Sequence, residues 1–199
     1  MLNIYLLRHG ETAYNADGNR YCGKTDIELT EKGVKQAQVL RQSLKDTHFE
    51  AVYSSPLQRA YNTARIASND SNLVIKDDRL IEMDFGAWEG KTREEFIAEA
   101  PALWTNWDQA PDINRAGGTG DTATDIVKRM DSFFTEIAAK HAKGAVLVVA
   151  HNTVNRLYLA YKLGMPLRNY RRIAQENSAI TLFNLDEFGI LSLLKLNAH

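Results

Sequence analysis

A single cysteine, Cys22, occurs in the 199 residues, so no intrachain disulfide can form. That scarcity suits a reducing compartment. Long apolar runs are missing as well. The opening "MLNIYLLRHG" reaches a charge after a few apolar residues and has no basic leader, which is too short for a signal peptide or a membrane span. The expectation is a cytoplasmic protein with no membrane partner. Excess charge of one sign is lacking too: 24 Lys and Arg against 25 Asp and Glu leave a net charge of −1. Nothing in that balance points to a nucleic acid partner. Histidine is sparse, at positions 9, 48, 141, 151 and 199, and no two have the spacing of a metal-ligand pair. Neither a metal nor a cofactor is expected. The oligomeric state leaves no trace in the sequence.

What is present describes one ordinary domain. Hydrophobic residues make up 44% and charged residues 25% of the chain, within the range of soluble globular proteins. The length suffices for a sizeable core. Four apolar runs read as buried strands: Leu2–Leu7, Ala51–Tyr53, Leu73–Ile75 and Ala145–Ala150. Helical patterns separate most of them. Thr30 caps a helix over about Glu31–Leu44. Ser55-Pro56-Leu57-Gln58 and Thr92-Arg93-Glu94-Glu95 read as capping boxes, and the second helix must stop before Pro101. Ile126, Met130, Phe133 and Ile137 stripe a longer helix over Thr122–His141. A last helix over Thr153–Leu163 ends at Gly164. The tail reads as two strands about a turn at Asp186–Gly189. The alternation predicts a three-layer αβα sandwich with a largely parallel central sheet. Ligands then bind beyond the carboxyl ends of the strands.

Chemistry gathers at those ends. The first strand runs into Arg8-His9-Gly10. The second runs into Ser54-Ser55-Pro56, with Arg59 in the first turn of the next helix. Glu82 follows the third, and His151 ends the fourth. His9 and His151 lie about 140 residues apart in sequence, so only the fold can join them. A cation in the first turn of a helix opposes the macrodipole at a cost of roughly 0.3–1 kcal/mol. An anion bound there would offset it, and phosphate is the natural candidate. Gly10 would let the backbone approach the ligand closely. A neutral imidazole is a competent nucleophile. A second histidine can donate to phosphoryl oxygens, and a carboxyl group can protonate a departing alkoxide.

The same residues carry a resemblance. "LLRHGETAYN", "GNRYCGKTDIELTEKGVKQA", "VYSSPLQRAYNTA", "LIEMDFGAWEGK" and "VLVVAHNTVNRL" together resemble the blocks of the histidine phosphatase superfamily, the phosphoglycerate mutase-like family. They cover nearly the whole chain. The resemblance implies a transiently phosphorylated His9, proton donation by Glu82, and a phosphoryl group held by Arg8, Arg59 and His151, with Asn15 as a further contact. Arg20, Tyr21, Cys22 and Gly23 would form a loop lining the substrate pocket. Asn152 stands where the family usually has glycine, and brings an amide into the pocket. Gly120-Asp121-Thr122 stands for the usual Gly-Glu-Ser.

Gly18–Thr25 also satisfies the G-x-x-x-x-G-K-S/T pattern of nucleotide-binding loops. No strand leads into Gly18, and Asp26–Leu29 separate Thr25 from the next helix, so that pattern is set aside. The stretch 101–120, with Trp104 and Trp107, is expected to be irregular and to cover the site as a lid. The expected activity is metal-independent hydrolysis of a small phosphorylated metabolite. A cofactor-dependent phosphoglycerate mutase is the alternative enzyme, and a non-catalytic phospho-ligand binder the alternative of another class. Mutases of the family are typically longer, with an arginine-rich insertion after the acid block, where this chain has Asp84. Among small phosphatases, an α-ribazole phosphatase-like role is one reading.

Overall fold

The computed structural model describes residues 1–68, 73–186 and 188–198. Six strands form one sheet: β1 (Leu2–Arg8), β2 (Ala51–Ser54), β3 (Val74–Lys76), β4 (Gly144–Ala150), β5 (Ile180–Leu185) and β6 (Leu191–Ala198). Their order is β3-β2-β4-β1-β5-β6. The four strands from β3 to β1 run parallel, and β5 and β6 are antiparallel. The expected sheet is therefore confirmed as largely parallel, with an antiparallel hairpin at one side.

Pleating sorts the strand residues onto two faces. Ile4 and Leu6 of β1 join Val146, Val148 and Ala150 of β4 in one core cluster. That cluster is completed by α6 (Ala123–Lys140) and α7 (Asn152–Lys162), through Ile126, Phe133, Phe134, Leu157 and Tyr158. Leu7, Leu147 and Val149 point the other way, to Leu40, Ala60 and Ala64. These last belong to α2 (Glu31–Ser43) and α3 (Gln58–Ala67). A short helix, α1 (Ala13–Ala16), follows β1. Helices α4 (Arg93–Glu99) and α5 (Pro101–Gln109) carry Phe96, Trp104 and Trp107 against Trp88. The Trp88 and Phe96 rings stack at 4.7 Å. No helix among the described residues is long and apolar enough to cross a membrane.

Several boundaries depart from expectation for local reasons. The capping box at 55–58 does not form. Ser55 spends its hydroxyl on the Leu57 N–H at 3.3 Å, and the helix begins at Gln58 behind an uncapped Leu57. The box at Thr92–Glu95 does form, and Thr122 with Asp125 makes another. The third strand begins one residue late, with Leu73 left 86% exposed. Proline at position 101 starts a helix where irregular chain was expected, since its missing N–H costs nothing at the first helical position. In the tail, Asp186 Oδ1 accepts from the N–H groups of Phe188 and Ile190. Residue 187 of that turn, and His199, lie outside the described residues.

Candidate active site

Parallel pairing of β1 with β4 sets Arg8 opposite Ala150, so the next residues, His9 and His151, leave the sheet side by side. Their ring centroids are 5.1 Å apart. The β1–β4 pair lies next to β2, whose following helix brings in Arg59. Glu82 comes from the loop beyond β3. All five groups are buried: Arg8 is 9% exposed, His9 5%, Glu82 4%, and Arg59 and His151 0%.

His9 Nδ1 lies 2.7 Å from the Gly10 carbonyl oxygen. A carbonyl only accepts, so Nδ1 carries the proton and Nε2 keeps its lone pair. Burial holds the imidazole well below its usual pKa, and the Arg59 and Arg8 charges lower it further. It is neutral at pH 7. Gly10 packs against protein backbone on one side. Its N–H donates to Thr63 Oγ1 at 3.0 Å. A Cβ there would stand 2.5 Å from the Gly33 carbonyl oxygen. The element that approaches closely on that side is α2.

Arg59 sits behind His151. Its Nε donates to His151 Nδ1 at 3.3 Å, its Nη1 to Thr25 O at 2.7 Å, and its Nη2 to Gly23 O at 2.7 Å and Cys22 O at 3.2 Å. Accepting at Nδ1 leaves the His151 proton on Nε2, an atom that is buried with no partner. Burial, then the Arg59 charge, depress the His151 pKa well below the usual value, so a neutral donor stands at Nε2. Arg8 donates from Nη1 to Gln175 O at 3.0 Å, and its Nε is buried and unpartnered. Burial lowers its pKa to about 10, so it stays charged.

Glu82 Oε1 accepts from Met83 N at 2.8 Å and Val154 N at 3.3 Å, and Oε2 from Thr153 N at 3.1 Å. The last two belong to the first turn of α7. Burial nonetheless pushes the carboxyl up from its usual range, against the pull of those N–H groups and of the Arg59 and Arg129 charges.

A cavity of about 310 Å³ opens over Arg8, His9 and Glu82, while Arg59 and His151 lie behind its lining. Arg8, His9, Glu82, Asn15, Arg20, Tyr21, Cys22 and Asn152 line it, together with residues the sequence reading missed, among them Arg156, Tyr170 and Arg171. Arg20 is already paired, with Asp17 at 2.6 Å and Glu95 at 2.7 Å. Tyr21 packs edge-on against Phe85 and Phe96. The Cys22 thiol is pushed up to about 11 by burial, which leaves it protonated and unreactive. Gly23 is not part of the lining. Its N–H donates to Glu89 at 2.9 Å and its carbonyl accepts from Arg59, so it ties the loop down. Asn15 Oδ1 accepts from Thr12 and from Asn177 Nδ2. Asn152 Oδ1 is buried without a partner. None of the lining residues comes from 101–120. That segment reaches the cavity from behind, through Trp104 and Asp108 against Arg171. Among the described residues no cluster of three metal-ligating side chains occurs.

Comparison with known proteins identifies a family for the chain. The family description "Histidine phosphatase superfamily (branch 1)" matches residues 4–198. Phosphoserine phosphatase 1 of Hydrogenobacter thermophilus is 34% identical over 198 residues, covering 99% of this chain and 92% of that one. The adenosylcobalamin/alpha-ribazole phosphatase of Escherichia coli K12 is 35% identical over 170 residues, 83% of this chain and 81% of the other. Among solved structures, phosphoserine phosphatase of Entamoeba histolytica in complex with 3-phosphoglyceric acid superposes with a TM-score of 0.90 at 29% identity. It covers 100% of this chain and 98% of its own.

Proposed function

The chain belongs to the histidine phosphatase superfamily and is a phosphomonoesterase acting on a small phosphorylated substrate, and we propose that the five buried groups at the strand ends carry out the hydrolysis. The observation that carries this assignment is the tautomer of His9. Its Nδ1 proton is fixed on Gly10 O, so Nε2 meets the cavity as a neutral nucleophile beside Arg8. Nε2 attacks phosphorus as the ester P–O bond breaks. Glu82, whose burial favours the protonated carboxyl, gives its proton to the departing oxygen. The imidazole then carries the phosphoryl group on Nε2 and its original proton on Nδ1.

Arg8 and the Nε2 proton of His151 face the equatorial oxygens as negative charge shifts on to them. Arg59 orients His151 and exchanges loop-carbonyl bonds for phosphoryl oxygens when substrate binds. In the second half, ionised Glu82 takes a proton from water. The hydroxide attacks phosphorus, the N–P bond breaks, and inorganic phosphate leaves. Residues 1–199 act as a single catalytic unit in this reading, with 101–120 bracing one wall. We place its work in the cytoplasm, on the lone cysteine and the lack of any membrane-crossing helix among the described residues.

Rapid-quench with 32P-labelled substrate tests the covalent step. An acid-labile phosphoprotein is expected in the wild type and none in His9→Ala. Near-normal turnover by His9→Ala would overturn the assignment. Supplying 3-phosphoglycerate with 2,3-bisphosphoglycerate should release phosphate rather than form 2-phosphoglycerate, which separates hydrolysis from mutase chemistry.

A further inference from the structure

Strand β5 runs antiparallel to β1 with Leu7 opposite Ile180. The chain leading into β5 therefore passes beside the residues that leave β1, Arg8 and His9. Residues 175–178 hold that strand end at three points. Gln175 O accepts from Arg8 Nη1 at 3.0 Å. Ser178 N donates to Arg8 O at 3.1 Å. Asn177 Nδ2 donates to His9 O at 3.0 Å, across 168 positions of sequence. Ser178 is buried and takes a positive φ of 60°. A residue other than glycine keeps that conformation only where its surroundings over-determine it.

The His9 main chain is thereby pinned on both sides. Its N–H donates to Ala150 O of β4 at 3.1 Å, and its carbonyl accepts from Asn177. The imidazole hangs from a backbone with little freedom to shift.

A primary amide nitrogen carries two N–H groups. The second on Asn177 Nδ2 goes to Asn15 Oδ1 at 3.2 Å. That oxygen also accepts from Thr12 N and Thr12 Oγ1, each at 3.1 Å. Three donors thus converge on one end of the Asn15 amide. Turning the amide over would set its own N–H groups against all three. Asn15 Nδ2 is the end left over. It has no hydrogen-bond partner among the described residues, and Asn15 lines the cavity. Held this way, Asn15 offers donors to phosphoryl oxygens that gain charge in the transition state. The Thr12 bonds are local to the cap of α1. Only Asn177 ties that amide to the nucleophile.

We propose that Asn177 is a positioning residue for phosphoryl transfer: one side-chain nitrogen fixes the His9 main chain and turns Asn15 so that its Nδ2 meets the phosphoryl group. Asn177 does not line the cavity over His9 and Glu82, so it acts through the two residues it holds. This inference rests on the phosphatase reading, with Asn15 as a phosphoryl contact.

A double-mutant cycle on kcat/KM for para-nitrophenyl phosphate tests it. Asn177→Ala is expected to lose about tenfold to a hundredfold, and Asn15→Ala a comparable factor. In the Asn15→Ala background the further loss from Asn177→Ala should be smaller by about fivefold or more. One of the two links is already void there, and what remains is the His9 link. Vanadate inhibition constants should follow the same cycle. Losses that simply multiply would mean that the Thr12 bonds alone set the Asn15 amide, or that Asn177 supports the fold in general, and either overturns the proposal. Asn177→Asp keeps the size of the side chain and covers the case of an alanine variant that does not fold. An ionised carboxylate cannot donate to either oxygen, so kcat/KM at pH 7.5 should fall at least as far. The two facing acceptors favour the protonated carboxyl, whose O–H can serve one of them. The ratio of this variant to the wild type should therefore rise as pH falls from 7.5 to 5.5. Near-wild-type kcat/KM in Asn177→Asp at pH 7.5 overturns the proposal, as does a ratio that stays flat. No loss in Asn15→Ala removes the phosphoryl contact and this inference with it, and leaves the His9 chemistry standing. Absence of wild-type turnover strikes the phosphatase reading itself.

Discussion

Arg59 and His151 are joined by a hydrogen bond from Nε to Nδ1, 3.3 Å long and fully buried. The bond decides which nitrogen of His151 can donate. It also places a fixed positive charge behind a histidine that must not become protonated. Arg59→Lys would keep a cation but lose the fork that reaches His151 and three loop carbonyls at once. Turnover is expected to fall by about 10²–10³, the range for losing one transition-state donor. Vanadate, a five-coordinate mimic, should inhibit the variant far less than the wild type. Equal inhibition of both would remove Arg59 from the phosphoryl site.

Glu82→Gln separates the two halves of proton transfer. Alkyl phosphates need an acid at the leaving oxygen, and their turnover should drop by about 10²–10⁴. Para-nitrophenyl phosphate has a leaving group that scarcely needs a proton, so formation of its phosphoenzyme should be slowed much less. A burst of nitrophenol followed by a slow steady state is the expected trace. Equal losses in the first step for both substrates would refute general-acid catalysis by Glu82.

Stability should decline as pH falls below about 6.5. The two buried histidines have folded pKa values well below the usual value, whereas in the unfolded chain they protonate near pH 6.5. Below that pH the unfolded state binds more protons and gains by up to about 1.4 kcal/mol per pH unit per histidine. Glu82 acts in the opposite sense. Its raised pKa means that the folded state takes up a proton first, which adds stability as pH falls toward the ordinary carboxylate value. Thermal melts between pH 7.5 and 5 should therefore show a steeper acid decline in Glu82→Gln than in the wild type. A shallower decline in that variant would contradict the burial argument.

Gly33→Ala tests the contact behind His9. A Cβ at Gly33 would stand 2.2 Å from the Glu11 carbonyl oxygen, and backbone on both sides leaves no flexible side chain to yield. The expected loss is about 1–3 kcal/mol of stability, read as a melting temperature lower by about 2–4 °C for each kcal/mol. Gly164→Ala is the comparison, since nothing lies within 4 Å of its added Cβ and only the positive φ of 69° is strained.

The largely parallel sheet, and the emergence of Arg8, His9 and His151 at its edge, could be read from the chain because strand ends carry them. Apolar runs are a strong signal, and the residues just past each run fall at one edge of the sheet. Gly10 and Gly23 share one feature that the sequence does not specify: a glycine marks close approach but does not say of which group. The approaching group is the Gly33 backbone in one case, and in the other the Met83 carbonyl oxygen, 2.4 Å from where a Cβ would stand. Arg156 and Arg171 gave no local sign. Their burial depends on Tyr170 and on Trp104, more than 50 residues from Arg156, and sequence periodicity carries no such information. The only cue was the four-residue step from Asn152 to Arg156.

The parallel register of β1 and β4 also governs how the protein can be assayed. His9 and His151 come from strands that pair with Arg8 opposite Ala150. A slip of one residue would move one histidine about 3.3 Å along the sheet and turn its side chain to the other face. The two imidazoles, about 140 residues apart in sequence, meet only once β1 and β4 have paired in this register. Recovery of turnover during refolding is thus a clock for this long-range strand pairing. It should lag behind helix formation seen by far-ultraviolet circular dichroism.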